Sequence, residues 1–405
     1  GYLLLLMLTS LAAGSYPSWV LSGFNPIQAL SGREKLTGRH TFAKSLVVVQ
    51  FALSSLLIIG TITIYSQIDY LLTRDLGYDD ENLIRISLSG GDEQAEVLKN
   101  ELSRNSNIVN ASAKSEGFSY RGIRVDEKEF RGYDFKVDEH YLATLGISLK
   151  EGRNFSSQFP ADSSQSVIIN ETFAREAGWG EHAIGQTLSF MGSDTRYTVI
   201  GVVNDYHFRP LKVKIEPVML HTLPKTRYGD LLVKVNPDHL AQTMAFLEVT
   251  YRQVEPLHPF KYEFVDLLNA REYQVEQRWK QIMSSGAVLA VLISCIGLFA
   301  LAALSIQQRT KEVGIRKVLG ASINSIVALL SGSFFKLALI AFIITVPLGF
   351  YGSDQWLENF AYRIEMSWWM FACAGALILL ISFLIISFQS VRAARSNPVD
   401  SLKSE

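Results

Sequence analysis

QQRTKEVGIRKVLGAS, residues 307–322, separates two long apolar runs at 282–306 and 326–350. Each run exceeds the roughly 20 mostly apolar residues that cross a bilayer. The stretch is therefore a short loop between two membrane spans. Four basic residues (Arg309, Lys311, Arg316, Lys317) stand against one acid, Glu312, which places the loop on the cytoplasmic side. Glu312 and Arg316 are spaced as i,i+4 partners, and Ile315, Val318 and Leu319 share one helical stripe. This spacing predicts a short amphipathic helix at the inner membrane face, with Gly314 and Gly320 allowing close approach or ending the helix. The plainer reading is positive-inside charge with ordinary loop glycines.

Outward from the loop, the 48% apolar content is strongly partitioned. Apolar runs at 42–67, 282–306, 326–350 and 367–386 predict four transmembrane helices, and 2–14 reads as the end of a further, partial one. Between the first two full spans, 70–280 has ordinary globular composition. Three segments assigned inside carry 4, 4 and 3 Lys or Arg (15–45, 307–322, 387–405), while the short outer loop at 352–366 carries one, Arg363. The charge bias and the topology agree. Lys336 lies inside the third of these runs, but 20 residues, about 30 Å of helix, separate it from Trp356. A span starting near Lys336 lets its ammonium snorkel to the inner interface while Trp356 marks the outer one. Residues 323–333 then belong to the cytoplasmic helical region, and Pro347 is expected to kink the helix. Net charge of −1 gives no argument for nucleic acid. Both cysteines, Cys295 and Cys373, sit in apolar runs, leaving the middle domain without disulfides.

SYPSWVLSGFNPIQAL at 15–30 aligns with SFQSVRAARSNPVDSL at 387–402 at a constant offset, matching Asn25-Pro26 to Asn397-Pro398 and Leu30 to Leu402. The expectation is that 1–32 is the tail of a preceding repeat. Residues 33–69 then form a cytoplasmic linker, without long helix before Thr41, and the first span of this module. Residues 70–280 form an outer domain, and 281–405 a second membrane domain with three spans and a cytoplasmic tail.

The outer domain reads as α+β. Strands are predicted at 81–87, 130–137, 166–169, 197–203 and 261–265, and helices at 93–104, 171–177 and 237–254. A long helix from 267 to 280 is expected to enter the membrane. Gly201, within VIGVV, is expected at a bulge or close-packing site.

Catalytic patterns are weak. The stretch 38–45, GRHTFAKS, approaches a phosphate-binding loop but has alanine for its second glycine and no preceding strand. There are six outer-domain histidines (His140, His182, His207, His221, His239, His258); Asp205 and His207 are expected on one face of a strand end, but there is no HExxH pattern and no third ligand nearby. Glu171, Glu176 and Asp205 could pair as carboxylates, though no spacing demands it. No nucleophile motif occurs. The sequence therefore offers no catalytic, cofactor-binding or metal-ligating residues.

RTKEVGIRKVLGAS resembles the cytoplasmic segment of MacB/FtsX-type ABC transporter permeases, with its R-x-K-E-[IV]-G-[IV]-R-[KR]-x-[LM]-G-A pattern. FAKSLVVVQFALSSLLIIGTITIYSQIDYL resembles the entry helix of the second half in tandem permeases of this group. YLATLGISLKEGRNF, VIINETFAREAG and YTVIGVVNDYHFRPL resemble the MacB periplasmic core, in which a porter-like lobe carries an inserted β-rich lobe, here about 141–220. The resemblance implies a non-catalytic permease in the bacterial inner membrane. Arg309, Lys311, Glu312, Gly314, Arg316, Lys317 and Gly320 would contact a dimeric ABC ATPase subunit, which itself holds ATP-Mg. It further implies the first repeat of the same protein and membrane lipid as partners, with a periplasmic adaptor or hydrolase beyond them. The implied mechanism is mechanotransmission, in which ATP hydrolysis drives work on the periplasmic side and exports a drug, peptide or lipoprotein-like substrate. The alternatives are a signalling subunit that senses a peptide or activates a cell-wall hydrolase, and a membrane-anchored extracytoplasmic enzyme.

Overall fold

The computed structural model describes residues 7, 11, 37–89, 92–222, 228–308, 315–316, 319–320 and 322–395. The expected repeat tail and partial helix at 1–32 lie outside these, save that Met7 and Leu11 are helical. In chain order, helix α1 (Thr37–Thr73) is followed by β1 (Leu83–Ser87), α2 (Asp92–Leu102), β2 (Ile108–Lys114), β3 (Ser119–Val125) and β4 (Lys128–Lys136). Then come α3 (Tyr141–Leu145), β5 (Leu149–Gly152), β6 (Ser166–Asn170), α4 (Glu171–Ala177), β7 (Thr187–Phe190) and β8 (Arg196–Val203). The middle domain finishes with β9 (Val218–His221), β10 (Asp230–Val235), α5 (Leu240–Val254), β11 (Tyr262–Phe264) and α6 (Val265–Arg271). Three long helices follow: α7 (Gln274–Gln308), α8 (Ile323–Leu357) and α9 (Trp368–Arg395).

Four stretches are long and apolar enough to cross a membrane: Lys44–Thr73, Gln274–Ile306, Phe334–Leu357 and Trp368–Arg392. α1 begins at Thr37, four residues before the expected end of the linker, because the prolines that forbid helix lie upstream. Helix α8 runs from Ile323 through Pro347 as one element, so 323–333 belong to the same helix as the span. Lys336 is exposed near the start of that span.

The chain forms two compact units, Gly1–Ile58 with Gly286–Leu348 and Phe371–Glu405, and Ile59–Ser285 with Gly349–Met370. In the first, small and polar residues let α1 and α7 approach closely. The Oγ atoms of Ser54 and Ser294 lie 3.0 Å apart, and Gln50 fills the space beside Gly297. Gln389 donates to the Phe299 carbonyl at 2.9 Å. With lipid as apolar as the helices themselves, such packing and hydrogen bonding, rather than hydrophobic burial, hold helices together.

The second unit contains two sheets. In the four-stranded sheet, β11-β1-β10-β2, all neighbours are antiparallel. Alternation along β10 sends Leu231, Val233 and Val235 toward α2 and α5, where they pack with Leu98, Leu102, Leu247 and Tyr251. Leu232 and Leu83 face the opposite core with Tyr133, Phe135, Tyr206 and Leu220. The seven-stranded sheet has the order β5-β8-β6-β9-β4-β3-β7, and a further β8–β7 pairing closes six of its strands into a ring. β6 (SVIIN) is buried at every position between β8 and β9, which is why Val167, Ile168 and Ile169 are apolar on both faces. Phe173, Ala174 and Ala177 of α4 pack into the core with Val167, Ile169 and Met219. α4 starts where Asn170 Oδ1 accepts from the Phe173 amide at 3.0 Å and stops at Gly178 with φ of 81°.

The structure differs from expectation at two places and agrees at a third. The seven-stranded sheet starts at Ser119 with β3, a strand that was not expected. β3 and β4 form a hairpin whose turn, Asp126-Glu127, holds a non-glycine at φ 51° in place of a recognisable turn dipeptide. The expected 267–280 helix is broken between Arg271 and Gln274, because Tyr273 turns into a buried cluster with Leu71, Leu211 and Phe360. Gly201 does flank a bulge, where β8 pairs with β6 and skips Ile200.

Candidate functional site

Of the seven residues predicted for the inner loop, Arg316 and Gly320 are described; Arg309, Lys311, Glu312, Gly314 and Lys317 lie outside the described residues. Ile315 and Arg316 are helical, and the Leu319 amide donates to the Ile315 carbonyl at 3.0 Å. Gly320, at φ 88°, takes a left-handed conformation that other residues adopt only with strain. Ser322 then caps α8, its Oγ accepting from the Ser325 amide at 3.3 Å. Ile315 is 53% and Leu319 80% exposed, and Arg316 between them is exposed as well. Two apolar side chains one turn apart are thus both exposed, next in sequence to an exposed cation.

A second constellation sits at the other ends of the spans, within the unit that holds the sheets. Gln67 of α1 is fully buried. Its Nε2 donates to the Tyr362 carbonyl at 2.9 Å, and its Oε1 accepts from the Ile364 amide at 2.9 Å. One amide side chain therefore pins the α8–α9 loop to α1. The Arg74 guanidinium lies 4.7 Å from the Tyr362 ring centre, and His207 meets the same ring edge-on at 4.8 Å. Leu71 and Tyr273 close a cluster with Leu211 and Phe360. Hydrogen bonds add direction: the Leu211 amide donates to the Tyr273 hydroxyl at 2.9 Å, and the Ala361 amide to the Lys212 carbonyl at 3.0 Å. Lys212 also pairs with Glu276 at 2.8 Å. The loop after β8 (residues 204–217) thereby meets α1, α7 and the α8–α9 loop. Sequence reasoning passed over this junction, since its contacts join residues some 300 positions apart. The visible signal was polar Gln67 at the end of an apolar span.

The histidines and carboxylates do not converge. Asp205 and His207 lie beyond the end of β8 and part company, correcting their expected common face. Asp205 accepts from the Thr172 amide and hydroxyl at 2.8 and 2.7 Å, whereas the His207 ring packs on Tyr362. Burial, aided by the nearby charge of Arg74, holds the His207 imidazole below its ordinary value. Glu171 is drawn to Lys150, which holds its carboxyl below the usual range. His221 Nδ1 lies 2.7 Å from Asp134 Oδ1, both side chains almost fully buried. Asp162 is likewise buried. Desolvation raises its carboxyl, but hydrogen bonds from Arg153, Ser166 and the Ser156 amide outweigh that and leave it below the carboxylate range. Among the described residues no three His, Cys, Asp or Glu side chains are grouped to hold a metal ion.

Comparison with known proteins agrees with this architecture. Residues 44–246 match the MacB-like periplasmic core domain, and 284–398 match the FtsX-like permease C-terminal domain. The macrolide export ATP-binding/permease protein MacB of Aggregatibacter actinomycetemcomitans is 26% identical over 235 residues, 55% of this chain and 35% of that protein. MacB of Sodalis glossinidius is 25% identical over 286 residues, 66% of this chain and 43% of that protein. The chain thus matches less than half the length of these relatives. The periplasmic region of MacB from Actinobacillus actinomycetemcomitans superposes with a TM-score of 0.38 at 20% identity, over 49% of this chain and 95% of that one. Four membrane-crossing helices, a sheet-bearing domain between the first two and both family matches lead to one conclusion: the chain belongs to the MacB/FtsX-type ABC transporter permeases.

Proposed function

We propose that this chain couples ATP hydrolysis by a partner ATPase to conformational work on the far side of a bacterial inner membrane, with residues 70–280 extracytoplasmic. The observation that carries this reading is the exposure of Ile315, Arg316 and Leu319 in the loop between two spans. A solvated loop gains nothing from presenting two large apolar side chains one turn apart, whereas a docking helix gains by burying them. ATP-Mg is held by the ATPase dimer, and Arg309, Lys311, Glu312, Arg316 and Lys317 supply the polar rim of the contact. Gly314 and Gly320 let the segment approach closely and end it.

The work is carried by long helices. α1 and α7 have 37 and 35 residues, so each runs to more than 50 Å at about 1.5 Å per residue, well beyond the roughly 30 Å hydrocarbon core. The excess length forms a stalk, and the Gln67 junction receives its motion. The relatives named above are macrolide exporters. For this chain the reading is export of a drug, peptide or lipoprotein-like substrate by mechanotransmission, in concert with the first repeat of the full protein.

The test is ATPase activity of the cognate ATPase with the full-length permease in lipid nanodiscs. Leu319→Asp and Arg316→Glu are each expected to reduce permease-dependent stimulation by about tenfold or more, the loss of a central interface contact, with membrane insertion unchanged. Full stimulation by both variants would remove the docking role of this segment.

A further inference from the structure

Just beyond the end of α8, the loop after β8 and the α8–α9 loop enclose an open groove of about 630 Å³. Arg209, Lys212, Lys214 and Arg363 line it, with Glu216 and Glu358. We propose that this groove holds the phosphate of an anionic lipid headgroup, from the leaflet on the side of the α+β domain.

Depth is the first argument. The span ends at Leu357 and the next begins at Trp368. Glu358 and Arg363 therefore lie one and six residues past the end of that helix, where headgroups are expected. Trp368 is 81% exposed, as an aromatic residue is when it marks the interface. A groove at this depth opens onto lipid phosphates before it meets any solute.

Charge is the second. Four cations and two carboxylates line the groove, and both carboxylates are engaged: Glu216 by Arg209, and Glu358 by the Gln355 amide at 3.1 Å. Lys212 is shared with Glu276 at 2.8 Å, and Arg363 with Asp354 at 3.7 Å across a solvent-exposed gap. Lys214 is exposed and has no ion-pair partner among the described residues. It supplies the uncompensated charge, and Arg363, loosely paired, can turn toward a phosphate at little cost. Arg209 adds a fixed donor array, held by Glu216 and by the Tyr133 hydroxyl at 2.7 Å.

The experiment is native mass spectrometry of the full chain in detergent with equal amounts of phosphatidylglycerol and phosphatidylcholine, two lipids of similar tails. Wild type is expected to retain phosphatidylglycerol preferentially, and Lys214→Gln to lose about fivefold of that preference, the effect of one cation near an anionic headgroup. Lys214→Arg should keep it, as should Arg252→Gln, an exposed site on α5 away from the groove. Added salt should erode the preference in wild type. Equal retention of the two lipids by wild type, or an unchanged preference in Lys214→Gln, overturns the proposal. Displacement of the lipid by millimolar inorganic phosphate would also overturn it, by making the groove a site for a soluble anion. ATPase stimulation is a separate readout, so loss of lipid preference leaves the coupling reading untouched.

Discussion

Tyr273 ends what would otherwise be one continuous helix from Val265 to Gln308, and it does so with a single side chain. α6 buries none of its residues fully; Asn269 ties it to Tyr78 and Asp80, and the next anchor is Tyr273, in the cluster with Leu71 and Leu211. Other single residues are equally decisive. At Gly201 a Cβ would stand 2.6 Å from the Arg153 carbonyl oxygen, a backbone atom that cannot move aside alone. Gly201→Val is expected to destabilise the domain by about 2–3 kcal/mol, read as a lowered denaturant midpoint. His207 carries a pH dependence. Its folded value is depressed, so the unfolded chain binds the proton more readily, and stability falls as pH drops below the unfolded value of about 6.5. Arg74, Asp75 and Asp205 are the charged groups that act on it, the arginine reinforcing the shift and the two carboxylates opposing it. Thermal unfolding of the full chain in nanodiscs should show a lower Tm near pH 5.5 than near pH 7.5, with the difference reduced in His207→Gln. An equal pH response in that variant would assign it elsewhere.

At the scale of elements, legibility follows locality. α4 was readable to the residue because its signals are local: an asparagine cap, Phe173, Ala174 and Ala177 at helical spacing, and a terminal glycine, all within nine positions. The spans were readable from length and composition alone. β9 (VMLH) was not, since three apolar residues and a histidine after a proline carry no period, and only its neighbours β4 and β6 make it a strand. The inner loop was legible as a short basic, amphipathic segment between two spans through its charges and stripe, and Ile315 and Leu319 of that stripe are exposed. The junction at the opposite ends was not, because Gln67 finds its partners at Tyr362 and Ile364. Gln67→Leu tests that junction, since it leaves the part-buried Tyr362 carbonyl and Ile364 amide without that partner. A loss of about 2–3 kcal/mol is expected, together with faster proteolysis of the α8–α9 loop. Unchanged protection of that loop would show that Leu71 and Phe360 suffice to hold it.

Across the whole molecule, the sheet order has a consequence for synthesis. β1 pairs with β10 and β11, and about 140 residues separate Ser87 from Asp230. All strands of the seven-stranded sheet lie within that interval. A ribosome adding about 5–20 residues per second takes on the order of 10–30 s to cover it. The ring-closed sheet can therefore assemble while Leu83–Ser87 still waits, tethered to a helix already in the bilayer, with both its edges open. During that interval LIRIS is an unpaired apolar strand beside the membrane surface. The nascent chain, rather than the finished permease, is where this architecture is most exposed to misassembly.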